Sequence, residues 1–331
     1  MEKNNVSKIV KDKKKANKAD PCDEERDKSM ALTKTIEELT KTKLELEAKL
    51  TVLVGKIGNI VGDKTAPGND EANNRVERTW GDIPELEVNG EELGHLHHHE
   101  IMACLDIVEF ERGARVAGHR GYYLKGAGVL LNQALINYGL ATLMQKGYTP
   151  LQPPFFLKKE IMEATCQLND FEENLYKVVK KDDEPPLYLT ATSEQPISAL
   201  HMGEWIKPKD LPLKYGGIST CFRKEAGSAG QDVWGIFRVH QFEKVEQFIY
   251  CDPKKSWEGL EELISTSESF YQALKLPYRV INIVAGALND AAAMKYDLEA
   301  WFPGFKDWRE LVSCSNCTDF QSRALETRYH D

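Results

Sequence analysis

Residues 221–250, CFRKEAGSAGQDVWGIFRVHQFEKVEQFIY, read as two long strands joined by a Gly-rich loop. Phe222-Arg223-Lys224-Glu225 ends the first strand, and Arg238-Val239-His240-Gln241-Phe242 lies on the second. Side chains alternate faces along a strand with period two, so Arg223 and Glu225 share a face, as do Arg238, Phe242 and Glu246 on the return strand. Two guanidiniums, an aromatic plate and two carboxylates turned one way make a nucleotide site: arginine grips phosphate in a bidentate fork, and a ring stacks on a base. The plainer reading is a solvated hairpin of alternating charge. The length of the ordered string favours the site.

Other strings add to it. Thr190-Ala191-Thr192-Ser193-Glu194-Gln195 precedes Pro196, and Thr192 and Glu194 would share a strand face. Ser193 or Thr192 would equally serve as N-cap of a helix starting near Pro196. Glu310-Leu311-Val312-Ser313 brings a carboxylate and a hydroxyl close together in sequence. An offset of three puts two residues on one strand face only across a bulge or at a strand end, and a partly exposed acidic strand is the alternative. Leu130 to Met144 has the apolar spacing of a helix ending near Gly147, followed by Thr149-Pro150-Leu151-Gln152-Pro153-Pro154.

F-R-x-E, a loop and R-x-x-x-F resemble motif 2 of the class II aminoacyl-tRNA synthetases, and EAGSAGQDVWGIFRVHQFEKVEQF (225–248) resembles the seryl-tRNA synthetases of the eukaryotic cytosolic type. The helix, strand and proline order around Pro154 resembles motif 1, the family's dimer interface. The resemblance implies an α+β core, an antiparallel sheet flanked by helices, that activates serine with ATP and passes it to tRNA(Ser). It implies that Arg223 holds the α-phosphate, Arg238 the γ-phosphate, Glu225 the adenine amino group and Phe242 the adenine face, with Val239 beside them. Thr192 and Glu194 would form the T-x-E serine loop with Glu246 as the serine-binding carboxylate, and Glu310 and Ser313 would hold Mg²⁺ and ATP. Serine is favoured over alanine because alanine would leave such buried polar groups unpaired. His240 is expected to support the arginines.

The rest of the chain frames this core. From Leu32, a 3,4 spacing places Leu32, Leu39, Leu46, Leu53 and Ile60 at one heptad position and Ile36, Lys43, Leu50 and Ile57 at the other. That is a coiled-coil pattern, or a single amphipathic helix lying on a domain. By resemblance it is a tRNA-binding helical arm, here shortened, half missing or completed by another chain, because residues 1–28 offer no partner stripe and read as a disordered Lys-rich tail. The expected organisation is tail 1–28, arm 29–62, linker 63–71 and synthetase core 72–331, with no counterpart of the family's motif 3.

The 331 residues carry a net charge of −9, with 41% apolar and 29% charged residues, as in a soluble globular protein. A nucleic-acid footprint is then local, and Lys8, Lys11, Lys13, Lys14, Lys15 and Lys18 crowd one end. No apolar run approaches the ~18 residues of a membrane span. Seven irregularly spaced cysteines point to reduced thiols and a cytosolic setting. Cys314 and Cys317 form a lone C-x-x-C, more structural than metal-binding. His95, His97, His98 and His99 read as a surface loop, since their spacing does not converge on one ion. Two other functions stay open: a non-catalytic paralogue or isoform that binds tRNA or a partner, and a class II enzyme activating another amino acid.

Overall fold

The computed structural model describes residues 2–55, 57–83, 87–88, 91–92, 96–165, 174–179, 184–225 and 234–330. It divides into two units, Met1–Ile57 and Gly58–Asp331.

In the first unit the expected tail is instead a helix, α1 (Glu2–Ala16), which turns through residues 17–22 and folds back along α2 (Asp23–Val54). Two features account for it. Val6 and Val10 recur at i, i+4, and Val6 is buried. Glu2 in the first turn and Lys13, Lys14 and Lys15 in the last complement the helix dipole. Lys13 Nζ meets Glu25 Oε1 at 2.5 Å beside the turn. A partner stripe therefore exists, but α1 has 15 residues against 32 in α2. Leu39, Leu46, Leu50 and Leu53 remain about 60% exposed, so the arm is a short one.

Among the sheets of the second unit, two frame the site. In the first, β1 (Arg75–Trp80), β5 (Tyr278–Asn282), β6 (Met294–Phe302) and β7 (Asp307–Asn316) lie antiparallel in that order. In the second, β3 (Leu213–Phe222) pairs antiparallel with β4 (Gln241–Tyr250) and parallel with β2 (Thr149–Leu151). Helix α5 (Ser256–Ala273) lays Leu260 and Ile264 on Tyr278, Val280, Met294, Tyr296, Leu298 and Cys314, which alternate along β5, β6 and β7 to give that sheet its buried face. Among the described strands β4 and β7 each have a single neighbour.

The expected linker is docked rather than free. Gly62 N donates to Ala293 O at 2.8 Å, Ala66 N to Asn282 Oδ1 at 3.1 Å, and Ala285 N to Ala66 O at 2.9 Å. With its polar backbone satisfied by core groups, Ala66 is buried at 1% exposure. The expected helix runs from Ala127 to Gln145 (α3). It rests Gly139 on Val245 of β4 and leaves Leu130, Leu131 and Met144 more than half exposed. By length and composition it is apolar enough to cross a membrane, which the reading of apolar runs alone had excluded.

Candidate functional site

The strand pair carries its functional side chains at and just beyond its ends. β3 stops at Phe222 and β4 starts at Gln241, so Arg223, Glu225, Arg238 and Val239 lie outside the strands they were expected to occupy. One further rung survives: Arg223 N donates to His240 O, and His240 Nδ1 lies 3.0 Å from Arg223 O. His240 thus ties the two arms together. Beyond it Glu225 takes a left-handed φ of 50°, which breaks the simple alternation, yet it still lines the same cleft as Arg223. Arg120, which the sequence did not single out, donates to the carbonyls of Arg238 (3.1 Å) and Glu225 (3.4 Å) and bridges the arms from outside. The loop residues 226–233 lie outside the described residues.

The Arg223 guanidinium stands 5.1 Å from the centre of the Phe242 ring, and its Nε donates to Ala191 O at 3.2 Å. Arg238 Nη1 and Glu225 Oε2 are 3.4 Å apart. Arg238 is about half exposed, so its guanidinium can turn to a phosphate at low cost. The buried Val239 side chain (5% exposed) is absent from the cleft lining; contact with a nucleotide there would come from its main chain.

Thr192 and Glu194 are not on a strand. Thr192 sits in irregular backbone just before the helix, and Glu194 opens the short helix α4 (Glu194–Ser198). Thr192 Oγ1 accepts from Glu194 N at 3.2 Å, while Ser193, the N-cap, makes no side-chain cap. They still reach one place. Thr192 Oγ1 donates to Glu246 Oε2 at 2.8 Å, and Gln321 Nε2 donates to Glu194 Oε1 at 2.7 Å. Burial, and then the Glu246 charge, push the Glu194 carboxyl above its ordinary range, against the pull of Lys244, Gln321 and Arg223. Lys244 escaped the sequence reading, although alternation from Phe242 and Glu246 puts it on their face.

On β7, Glu310 and Ser313 do share a face, because Leu298 pairs with Val312 and Glu299 with Glu310, leaving Leu311 as a bulge. Asp297, also missed, lies across the ladder from Ser313. It is 6% exposed with Oδ1 unpartnered, and burial followed by the Glu310 charge raises its pKa. Hard oxygen donors with an orphaned carboxylate oxygen suit a divalent cation. Among the described residues no three His, Cys, Asp or Glu side chains form a complete cage, so phosphate oxygens and water would complete its shell.

The histidines form no surface loop. His97, His98 and His99 pack among Trp234, Phe237 and Phe305, while His95 lies outside the described residues. Burial beside the other two lowers the His98 pKa to about 4. Its neutral Nε2 accepts from Ile236 N at 3.0 Å, two residues before Arg238.

Arg223, Glu225, Arg238, Phe242, Thr192, Glu194, Glu246, Glu310 and Ser313 all line one cleft of about 1470 Å³. A cationic and aromatic end joins an acidic cup, with oxygen ligands on the facing strand. Such an arrangement has the charge and shape to take a nucleoside triphosphate beside a small ammonium-bearing molecule. Residues 176–331 match the family described as tRNA synthetase class II core domain (G, H, P, S and T). Over 323 residues the chain is 54% identical to the cytoplasmic serine–tRNA ligase of Dictyostelium discoideum, covering 98% of this chain and 69% of that protein. The seryl-tRNA synthetase of Pyrococcus horikoshii, solved with ATP, superposes with a TM-score of 0.89 at 39% identity, over 100% of this chain and 76% of that one. The cytoplasmic enzyme of Naegleria fowleri, solved with AMP, gives 0.84 at 46%, over 92% and 65%. The chain belongs to the seryl-tRNA synthetase family. It spans about two thirds of the length of the curated relatives it matches, 62–69% among those from Dictyostelium, Saccharomyces and Arabidopsis.

Proposed function

We propose that this chain carries the serine-activating core of a cytoplasmic serine–tRNA ligase. The observation that supports it is the meeting of the Arg223–Phe242 stack and the Thr192–Glu194–Glu246 cup in one cleft. Phe242 supplies the adenine platform and Glu225 an acceptor for the adenine amino group. Arg223 neutralises the α-phosphate and Arg238 the γ-phosphate. The cup takes the serine ammonium and hydroxyl, aiming the carboxylate at the α-phosphate, so that displacement gives seryl-adenylate and pyrophosphate. Positioning and charge neutralisation supply most of the acceleration in phosphoryl-type transfer, and no protein nucleophile is called for. Glu310 and Ser313, with Asp297 behind them, would hold Mg²⁺, which would neutralise phosphate charge when bound.

The seryl group would then pass to tRNA(Ser), with the helical arm as a contact for that RNA. The exposed apolar side of α3, close in sequence to Pro154, supports a homodimer, since Leu130 is 71% and Met144 58% exposed. ATP–pyrophosphate exchange with serine, threonine and proline tests the assignment. Serine-dependent exchange is expected. A preference for threonine or proline overturns the substrate, and no exchange with any of the three removes the claim that this chain alone is a catalyst.

A further inference from the structure

From the contacts of Lys244 we infer that its ammonium is an internal stand-in for the ammonium of the incoming amino acid, and that substrate binding displaces it. This rests on the serine-activating reading above. Lys244 Nζ lies 2.6 Å from Glu246 Oε2 and 2.6 Å from Thr192 Oγ1. Those two oxygens are also joined to each other at 2.8 Å. The acidic cup therefore already holds an –NH₃⁺ group on the atoms a free amino acid would need. Two ammonium groups sharing one carboxylate oxygen repel, so one must leave. Lys244 is the one able to go: its side chain is 32% exposed, against 16% for Glu246, and it hangs on a flexible four-carbon stem.

Its destination follows from strand geometry. Phe242, Lys244 and Glu246 point the same way from β4, spaced about 6.6 Å apart along the strand. Lys244 thus springs from a point midway between the adenine platform and the amino-acid cup. There the serine carboxylate meets the α-phosphate beside Arg223. A cation released from the cup would neutralise those anions. In the empty site the same cation screens Glu246 from Glu194, whose carboxyl Lys244 holds down. Lys244 on this view couples occupancy of the cup to charge neutralisation at the reacting centre.

Calorimetric titration of wild type, Lys244→Met and Lys244→Gln with L-serine, and with a non-hydrolysable seryl sulfamoyl adenylate, tests the idea. Serine is expected to bind both variants about 3–10-fold more tightly, because a competing, part-buried ion pair has been removed. The adenylate analogue is expected to bind at least ~10-fold more weakly, because a charge-assisted contact is lost. Opposite signs are the signature, since a merely structural ion pair would weaken both ligands together. Serine binding that is weaker or unchanged in both variants overturns the proposal, as does unweakened analogue binding, while wild-type serine binding leaves the functional assignment standing. Wild type that binds no serine overturns both.

Discussion

Replacing Gly217 with alanine measures how closely the amino-acid end of the cleft is set. Gly217 pairs with Glu246 across the β3–β4 ladder. A Cβ there would lie 2.5 Å from Ile197 Cδ1 and 3.0 Å from Ser193 Oγ, both in fully buried residues. Carbon atoms rest at about 3.5–4.0 Å, so roughly 1 Å must be found at Ile197. Ile197 is fully buried, so its Cδ1 can turn aside only into filled space, and Tyr250 Oη holds the Ile197 and Ser198 carbonyls at 2.5 and 2.8 Å. The strain therefore falls on α4 and moves Glu194 and Thr192 away from Glu246. Overpacking of this kind costs about 1–3 kcal/mol, a fall in Tm of roughly 2–5 °C for a unit of this size. A displacement approaching 1 Å should weaken serine-dependent exchange about tenfold or more, with little change in the apparent affinity for ATP. Ile197→Val deletes the clashing Cδ1 at a cost of about 0.5–1.5 kcal/mol alone, and in the double variant should restore at least ~1 kcal/mol relative to additivity. Unchanged Tm and serine response in Gly217→Ala, or strict additivity in the pair, refutes the reasoning.

Arg223→Lys keeps the charge but loses the planar stack on Phe242 and the bond to Ala191 O, so exchange should fall about 10–100-fold; activity within twofold of wild type would contradict the assigned role. Asp297 has its pKa raised from 3.8 to about 7, so the unfolded chain binds fewer protons there and this group's contribution to stability is lost as pH rises through that window. Asp297→Asn should flatten that part of the Tm profile and raise Tm more at pH 8 than at pH 4, while lowering Mg²⁺-dependent activity. Arg78→Met breaks the two-bond pair with Glu268 (2.9 and 2.6 Å) and leaves that carboxylate to Tyr278 alone. With Arg78 over a third exposed, about 1 kcal/mol should be lost, read by denaturant midpoint at constant slope.

Many of the residues that meet in the cleft were legible in sequence as parts of strings with a recognisable order, although Lys244 was not. Phe242 and Glu246 on one face of β4 follow from period-two alternation, whereas Arg223 reaches the same cleft from just beyond the strand on which alternation had placed it. Helix α2 was legible from a local period of apolar residues, though it stops at Val54, short of Ile57 and Ile60. Residues 1–28 misled because two valines in a lysine-rich run are a weak signal, and only contact with α2 makes Val6 worth burying. The 63–71 stretch misled likewise: Gly and Pro mark irregular backbone, but not whether a core stands ready to accept its hydrogen bonds.

Other features had no local signal at all. The bulge at Leu311 turns Glu310 to the face of Ser313 only because β6 imposes the register, and that register also brings Asp297 opposite Ser313. Gly217 is confined to a small residue only because the chain folds α4 back so that Ile197 presses on β3. Lys244 becomes a competitor for the cup only once Thr192 is folded against Glu246, 54 residues away. Periodicity and side-chain chemistry are properties of neighbours along the chain, so they survive in a sequence. Register between strands, close approach and the capture of one charge by another depend on distances through space, and those exist only after the chain has folded.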